Sequence, residues 1–319
     1  MNKILVIGGA GYIGSHLVYE LCDNGYTVTV LDNLTSGFED NIDKRSKFIK
    51  DSYTNYSLMN IILKEHDTVI FLAALKAAGE SMVDPLKYSQ KNIIDSLKLI
   101  NLCVKNTVKN FIFSSSAAVY GLPKYLPIDE NHDLNPINYY GFTKLSIENQ
   151  LIWYSKLGHL NIGILRYFNA AGYDVDGRVF MKEKNPQNLL PILMEVASGI
   201  RKKISIYGND YDTKDGTCLR DYIHVNDLAT GHTKAIEALH DKKLIVVNLA
   251  TGNYYSVLDV IKSSEIIINK KINYNFVGRR LGDPPQLFSK SNLAKKILDW
   301  EPKLSDLNNI IKSMWEVYK

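Results

Sequence analysis

Residues 4–14 read Ile4-Leu5-Val6-Ile7-Gly8-Gly9-Ala10-Gly11-Tyr12-Ile13-Gly14. Four successive apolar residues, mostly β-branched, describe a short buried strand. Glycines follow at once, and Tyr12 to Asn24 then reads as a helix that ends near Gly25. Gly9, Gly11 and Gly14 satisfy GxGxxG, while Gly8, Gly11 and Gly14 satisfy GxxGxxG. Glycine permits positive φ and lets the backbone approach a pyrophosphate with no Cβ in the way. The helix that begins here turns free N–H groups and partial positive charge towards such an anion. The same string also suits a glycine turn without a ligand, but its place between a strand and a helix favours the nucleotide.

Working outward, Thr27 to Leu31 is a second strand, and Asp32 ends it 18 residues after Gly14. A carboxylate there accepts hydrogen bonds from the adenosine ribose and repels a 2′-phosphate, which favours NAD over NADP. Strand and helix then alternate. The pattern predicts a helix over 54–65, a strand over 68–72 and a long helix from Pro85 to about Asn106. It continues with a strand over 110–114, a helix over 139–157 and a strand over 162–165. Such alternation implies an α/β fold with a doubly wound, mostly parallel Rossmann sheet. Beyond about Asn169 the pattern loosens into a polar loop over 174–187, the kind of segment that carries binding. Helices are predicted over 189–200, 225–239 and 256–268, the last with Ser256 as N-cap, and a strand over 243–249. Residues 225–252 look like one more βα element of the first sheet. The expected division is therefore a dinucleotide-binding domain over 1–169 that recovers this element, and a smaller, interleaved substrate domain over most of 170–319.

Composition narrows the function classes. The 319-residue chain has 38 basic and 34 acidic side chains, a net charge of +4, with 45% hydrophobic and 23% charged residues. That is an ordinary globular composition, and so small a basic excess, without a basic block, gives no reason to expect nucleic acid. No stretch approaches the ~18 apolar residues of a membrane span, and the N-terminus lacks the apolar core of a signal peptide. Cys22, Cys103 and Cys218 are far apart, with neither zinc-ligand nor redox spacing, and the seven histidines show no metal-ligand pattern. A cytoplasmic protein without a metal site is expected.

Two further motifs carry chemistry. Tyr140-Gly-Phe-Thr-Lys144 is YxxxK on a predicted helix, so phenol and ammonium share one face. A phenol with an ordinary pKa of about 10 is a poor base at neutral pH, whereas a neighbouring ammonium and an oxidised nicotinamide both favour the phenolate. Ser114-Ser115-Ser116 ends the strand that starts at Asn110. Ligands sit beyond the carboxyl ends of parallel strands, so one of these hydroxyls, Ser116 foremost, can bond a reacting sugar hydroxyl and relay its proton.

Together these elements resemble the extended short-chain dehydrogenase/reductase superfamily and, within it, the UDP-glucose 4-epimerases. The matching strings include Gly8 to His16, Asp32 to Leu34, Leu75 to Ala77, Gly79 to Ser81, Phe111 to Gly121 and Arg166 to Asn169. Asn188 to Pro191, Tyr207 to Thr217 and Leu219 to Leu228 complete them. Tyr207 to Thr217 is the most specific of these and the glycine turn the least. The resemblance implies a cofactor, NAD, with Gly8, Gly11, Tyr12, Ile13 and Gly14 by its pyrophosphate. Asp32, Asn33, Leu34, Thr35, Ser36 and Gly37 would surround the adenosine ribose, and Asp51 and Ser52 would face adenine. Leu72, Ala73, Ala74, Lys76, Asn92, Ser114 and Phe168 would line the remainder, with Lys76 reaching towards phosphate. Ser116, Tyr140 and Lys144 would be catalytic. Asn169, Asn188, Leu189, Ser205, Tyr207, Arg220, Arg280 and Asp283 would hold the UDP part, a job that suits the bidentate guanidinium fork.

The chain departs from that pattern in several places. Ala118 stands where many relatives have Thr, Tyr139 replaces a common Pro, and the loop over 173–187 matches poorly. Leu287 occupies a position where Tyr accompanies plain hexoses and a smaller residue accompanies N-acetylhexosamines. The implied reaction is reversible exchange of UDP-galactose and UDP-glucose through a transient 4-keto sugar. UDP-N-acetylhexosamines and UDP-uronates are alternative substrates. A sugar-nucleotide dehydratase is disfavoured because Ala117 and Ala118 replace its carboxylate pair, and a net reductase because Asp32 disfavours NADP. A non-enzymatic sensor is disfavoured because Ser116, Tyr140 and Lys144 are all present. The helices 85–106 and 139–157 resemble the pair through which relatives form homodimers.

Overall fold

The computed structural model describes residues 3–319. Its first part runs β1 (Lys3–Ile7), α1 (Tyr12–Asp23), β2 (Thr27–Asp32), β3 (Lys47–Lys50), α2 (Tyr56–Ile62) and β4 (Thr68–Phe71). There follow α3 (Ala78–Val83), α4 (Pro85–Tyr88), α5 (Asp95–Lys105), β5 (Asn110–Ser116), α6 (Tyr139–Lys156), β6 (Asn161–Tyr167) and β7 (Asn169–Ala171). The second part contains α7 (Leu189–Ala197), β8 (Ile204–Tyr207), β9 (Leu219–Arg220), β10 (Tyr222–His224), α8 (Val225–Ala238) and β11 (Leu244–Leu249). It ends with β12 (Tyr255–Ser256), α9 (Val257–Ile268), β13 (Tyr274–Val277), β14 (Gln286–Leu287), α10 (Asn292–Leu298) and α11 (Leu307–Tyr318).

Seven parallel strands form the main sheet in the order β11-β6-β5-β4-β1-β2-β3. Because side chains alternate across a strand, β1 splits between two cores. Ile4 and Val6 join Leu17, Val30 and Ile236 on one face, and Leu5 and Ile7 join Val69, Leu99 and Ile147 on the other. The chain winds outward through β2 and β3, then returns to lay β4 on the far side of β1. This reversal opens a crevice at the carboxyl edge, the usual ligand position in an open α/β sheet. Gly8, Asp32, Leu72, Ser116 and Phe168 all lie at that edge, each ending a strand or following one within a residue. The second part has its own core, in which Leu193 and Met194 of α7, Ile206 of β8, Ile261 of α9 and Ile310 of α11 pack together.

Several features differ from the sequence reading. Strand β3 was not anticipated, since Lys47-Phe-Ile-Lys50 is short and charged at both ends. The helix from Pro85 is not uniform, for Ser89–Ile94 forms a π-helical turn between α4 and α5. Helix α11 was also unread, although Leu307, Ile310, Ile311, Met314 and Tyr318 form a buried stripe at helical spacing. Ser256 caps α9 as expected, and with Asp259 it completes a capping box.

Candidate active site

The glycine turn is sterically committed. Gly8 has φ +86, and a Cβ there would lie 2.9 Å from the Ala73 backbone nitrogen. A Cβ on Gly14 would lie 2.2 Å from the Gly8 carbonyl oxygen, so α1 can start this close to the turn only with glycine. Gly11 precedes α1 in extended backbone with no side-chain cap, which leaves the first amide donors of α1, at Tyr12 and Ile13, open to an anion. Asp32 ties this turn to the next loop: its carboxylate accepts from Ala10 N at 3.0 Å and Leu34 N at 2.8 Å. Asn33 accepts from Thr35 N and Oγ1, fixing the loop that continues through Ser36 and Gly37. Ser36 faces a cleft with Ala10, Tyr12, Phe38, Met181 and Glu183. Asp51 accepts from Ser52 N and from Asn55, and Ser52 shares a hydrogen bond with Thr54, so this pair forms the turn after β3.

Across the crevice, Leu72 and Ala73 are partly buried and Ala74 is exposed. Lys76 is engaged by the protein itself, in an ion pair with Glu183 of the long loop. Asn92 is likewise occupied. From the π-turn its amide accepts from Leu75 N and donates to Leu75 O, both at 2.9 Å, and also donates to Thr143. Its side chain therefore shapes the backbone next to Lys76.

Helix α6 and strand β5 bring together the expected catalytic groups. Asn138 caps α6 by accepting from Gly141 N, and Ser81 accepts from Tyr140 N at 2.9 Å. The Tyr140 phenol meets the Ser116 hydroxyl; burial pushes its pKa up to about 12, and that hydrogen bond opposes the rise. Lys144 is buried, donates to the Ser114 carbonyl at 2.6 Å and lies over the Phe113 ring. Burial pulls its pKa down to about 7, against the attraction of Glu148. In the protein alone burial outweighs the Ser116 hydroxyl, and the expected depression of the phenol is one to which a bound oxidised nicotinamide would also contribute. Ser116 also accepts from Ala118 N at 3.2 Å. The buried Phe168 packs with Ala117, Val119 and Tyr120, and Leu287 touches the same cluster.

The residues expected to hold UDP come from the second part and its border. Asn169 donates to the Asp221 carbonyl at 2.8 Å. Asn188 and Leu189 start α7, with Asn188 exposed, and Ser205 and Tyr207 lie exposed on β8. Arg280 stacks over Tyr207, its guanidinium carbon 4.1 Å from the ring centre. Arg220 pairs with Asp283 and donates to the Leu219 carbonyl, and it lies beside Leu287 in the β9–β14 register. The two arginines therefore enter from separate elements.

Sequence reasoning missed two residues here. Ser81 holds the start of α6. Glu148 sits one helical turn beyond Lys144, fully buried, bonded to Ser115 and paired with Arg166. Its i, i+4, i+8 spacing with Tyr140 and Lys144 was the available signal. Among the described residues, no group of three or more His, Cys, Asp or Glu side chains could hold a metal ion.

Comparisons with known proteins agree with this geometry. The family model for the NAD dependent epimerase/dehydratase family matches residues 4–250. UDP-glucose 4-epimerase of Lactobacillus helveticus is 39% identical over 320 residues, covering 99% of this chain and 97% of that protein. The crystal structure of UDP-glucose 4-epimerase from Brucella ovis in complex with NAD superposes with a TM-score of 0.95 at 38% identity, covering 100% of this chain and 98% of that one. The Bifidobacterium longum enzyme, solved in complex with NAD+ and UDP, gives a TM-score of 0.94 at 37% identity, covering 99% and 98%. With its glycine turn, its seven-stranded sheet and a match over nearly the whole length, this chain belongs to the NAD dependent epimerase/dehydratase family.

Proposed function

We propose that the protein is a UDP-glucose 4-epimerase that interconverts UDP-galactose and UDP-glucose with NAD as resident cofactor. The observation that carries this reading is the placement of Tyr140 beside Ser116, and of Lys144 on the Ser114 carbonyl, at the carboxyl edge of a sheet whose first turn is a glycine cradle. The cradle fits a dinucleotide, since it has no Cβ in the way and exposes open amides, while Asp32 stands beside it. When bound, NAD supplies the acceptor that takes hydrogen with its electron pair from C4 and returns it to the other face of the ketone.

The chain's own residues govern the proton. The Tyr140 phenolate oxygen takes the proton of the C4 hydroxyl, directly or through Ser116, and later returns it. Alkoxide character at C4 is what makes the carbon a competent donor. Lys144 opposes the phenolate's charge, and its preset bond to Ser114 fixes where that charge sits. Arg220 and Arg280 hold the diphosphate while the sugar turns, so binding energy falls on the part that does not react. Asn169, Asn188, Leu189, Ser205, Tyr207 and Asp283 complete the UDP site. Lys76 reaches the cofactor phosphates by leaving or sharing Glu183. Ala117 and Ala118 provide no carboxylate for elimination of water, which separates this reaction from a dehydratase. Tyr140→Phe should lower kcat by about three orders of magnitude while NAD and UDP still bind in calorimetry. Epimerisation at the wild-type rate by that variant would remove the base from Tyr140.

We further propose a homodimer. Val83 of α3, Leu86 of α4 and Ile94 of the π-turn, with Phe142 and Trp153 of α6 and Leu157 just after it, expose large apolar side chains, as an unsatisfied interface does. Sedimentation at the mass of a single 36.1 kDa chain would contradict it. No helix among the described residues is long and apolar enough to cross a membrane. With its free cysteines we place the protein in the cytoplasm; recovery from an exported fraction would contradict this.

A further inference from the structure

Three successive serines meet three successive turns of one helix. Ser116 meets Tyr140, the Ser114 carbonyl accepts from Lys144 at 2.6 Å, and the Ser115 hydroxyl donates to Glu148. Glu148 is entirely buried and receives a two-pronged guanidinium, with Arg166 Nε at 3.1 Å and a terminal nitrogen at 2.7 Å. Arg166 is itself buried and faces Ser115 across the β5–β6 register. Its remaining arm donates to the Tyr120 hydroxyl at 2.9 Å, which donates to Asn248 at 2.7 Å. Every polar end of this assembly is satisfied, so it holds β5, β6 and α6 in one geometry. Lys144, by contrast, has no carboxylate at ion-pair distance among the described residues.

The electrostatics follow from the arrangement. Two cationic side chains, Lys144 and Arg166, are buried under the same site. Glu148 is the carboxylate bound to Arg166, and its attraction favours the charged form of Lys144. The other titratable groups around Tyr140 and Lys144 are Tyr88 of α4, Tyr120 after β5, and Tyr167 of β6, which is bonded to His232 of α8. Burial holds His232 neutral and keeps the three phenols protonated. Without Glu148, the uncancelled charge of Arg166 would act on both Lys144 and Tyr140, drawing the pKa of each downward.

We propose that Glu148 is a positioning residue of the epimerase reaction: by cancelling Arg166 and tethering Ser115 it holds the Tyr140–Lys144 pair in register with Ser116 and in its working charge state. This rests on the epimerase reading. The sign is fixed by charge, since local positive charge releases protons from both members of the pair. Glu148→Gln should therefore shift both limbs of the kcat–pH profile towards acid by about one unit. It should lower kcat at pH 7.5 about tenfold, with KM for UDP-galactose and bound NAD within twofold of wild type. A group that only supported the fold would change melting temperature without moving the profile. Removing both charges, as Glu148→Gln/Arg166→Met, leaves no unpaired buried ion. It should return the limbs to within about 0.3 unit of wild type while kcat stays several-fold low, because the two-pronged clamp is gone. If the single variant does not fold, the double variant decides. Wild-type kcat in it, or limbs shifted by a full unit, overturns the proposal, as does a folded Glu148→Gln with an unmoved profile. Absence of activity in the wild-type protein would instead overturn the epimerase reading on which this rests.

Discussion

Leu287 is the side chain we propose to govern what this site accepts. It is partly buried beside Arg220 in the β9–β14 register and packs against the cluster of Ala117, Tyr120 and Phe168. It therefore lies between the arginine proposed for the diphosphate and the aromatic ring proposed for the nicotinamide, where the hexose would turn. A bulkier residue there narrows the space for a 2-substituent without touching the groups that move protons. Leu287→Tyr should cut activity on UDP-N-acetylgalactosamine at least tenfold more than on UDP-galactose, a difference of about 1.4 kcal/mol in transition-state binding. The check is kcat/KM for both sugars. Equal losses would show that Leu287 does not set the width of the pocket.

At the scale of elements, the turn from β1 into α1 carries a strict steric demand. The ideal Cβ of an alanine at position 14 would sit 2.2 Å from the Gly8 carbonyl oxygen and 2.7 Å from the Gly9 Cα, both backbone and neither free to rotate away. Gly14→Ala must displace the turn or the helix start, and so should weaken NAD binding more than tenfold and lower stability by about 1–3 kcal/mol. Calorimetric titration of the apo protein and denaturant unfolding measure the two effects. An affinity within twofold of wild type would contradict the steric account. This turn was legible in the sequence because its determinants are local, as were Tyr140 and Lys144 one helical turn apart. Other contacts were not legible, because they join distant positions. Glu148 meets Arg166 only once α6 lies on β6, and the pairing of Lys76 with Glu183 depends on the path of a loop with no periodicity. Asn92 could be named as a site residue, but its hold on Leu75 follows from a π-turn that a 3.6-residue pattern does not reveal. The short strands β7 to β10 and β12 to β14 were not read because two to four residues give too little alternation to register.

For the whole molecule, buried titratable groups set the response to acid. Burial lowers His16, His224 and His232 to about 4, so in the folded state they stay neutral well below their ordinary value of 6.5. The unfolded chain binds those protons first, and stability is therefore lost as pH falls from about 6.5 towards 4. Burial raises Asp221 to about 7 even though Thr251 and Gly252 donate to it. That carboxyl works in the opposite direction over the same interval, because the folded state holds its proton longer. Three histidines against this one carboxyl favour a net uptake of protons on unfolding, so stability falls as pH falls through the interval. Denaturant unfolding between pH 7 and pH 4.5 should show stability falling steeply below pH 6.5. A flat profile there would mean that these histidines are not held neutral. One of the three couples the parts of the chain: His16 in α1 packs edge-on against Tyr173, which belongs to the second core. Acid should accordingly loosen the junction between the main sheet and the second core before the sheet itself.

The central claim is that C4 loses and regains the same hydrogen inside a closed site, while Tyr140 moves only the hydroxyl proton. UDP-galactose carrying deuterium at C4, incubated with the purified protein in ordinary water, tests this directly. The product should be UDP-glucose with the deuterium still on C4, read by proton NMR and mass spectrometry. Inverted product that has exchanged its deuterium for solvent hydrogen would contradict the account.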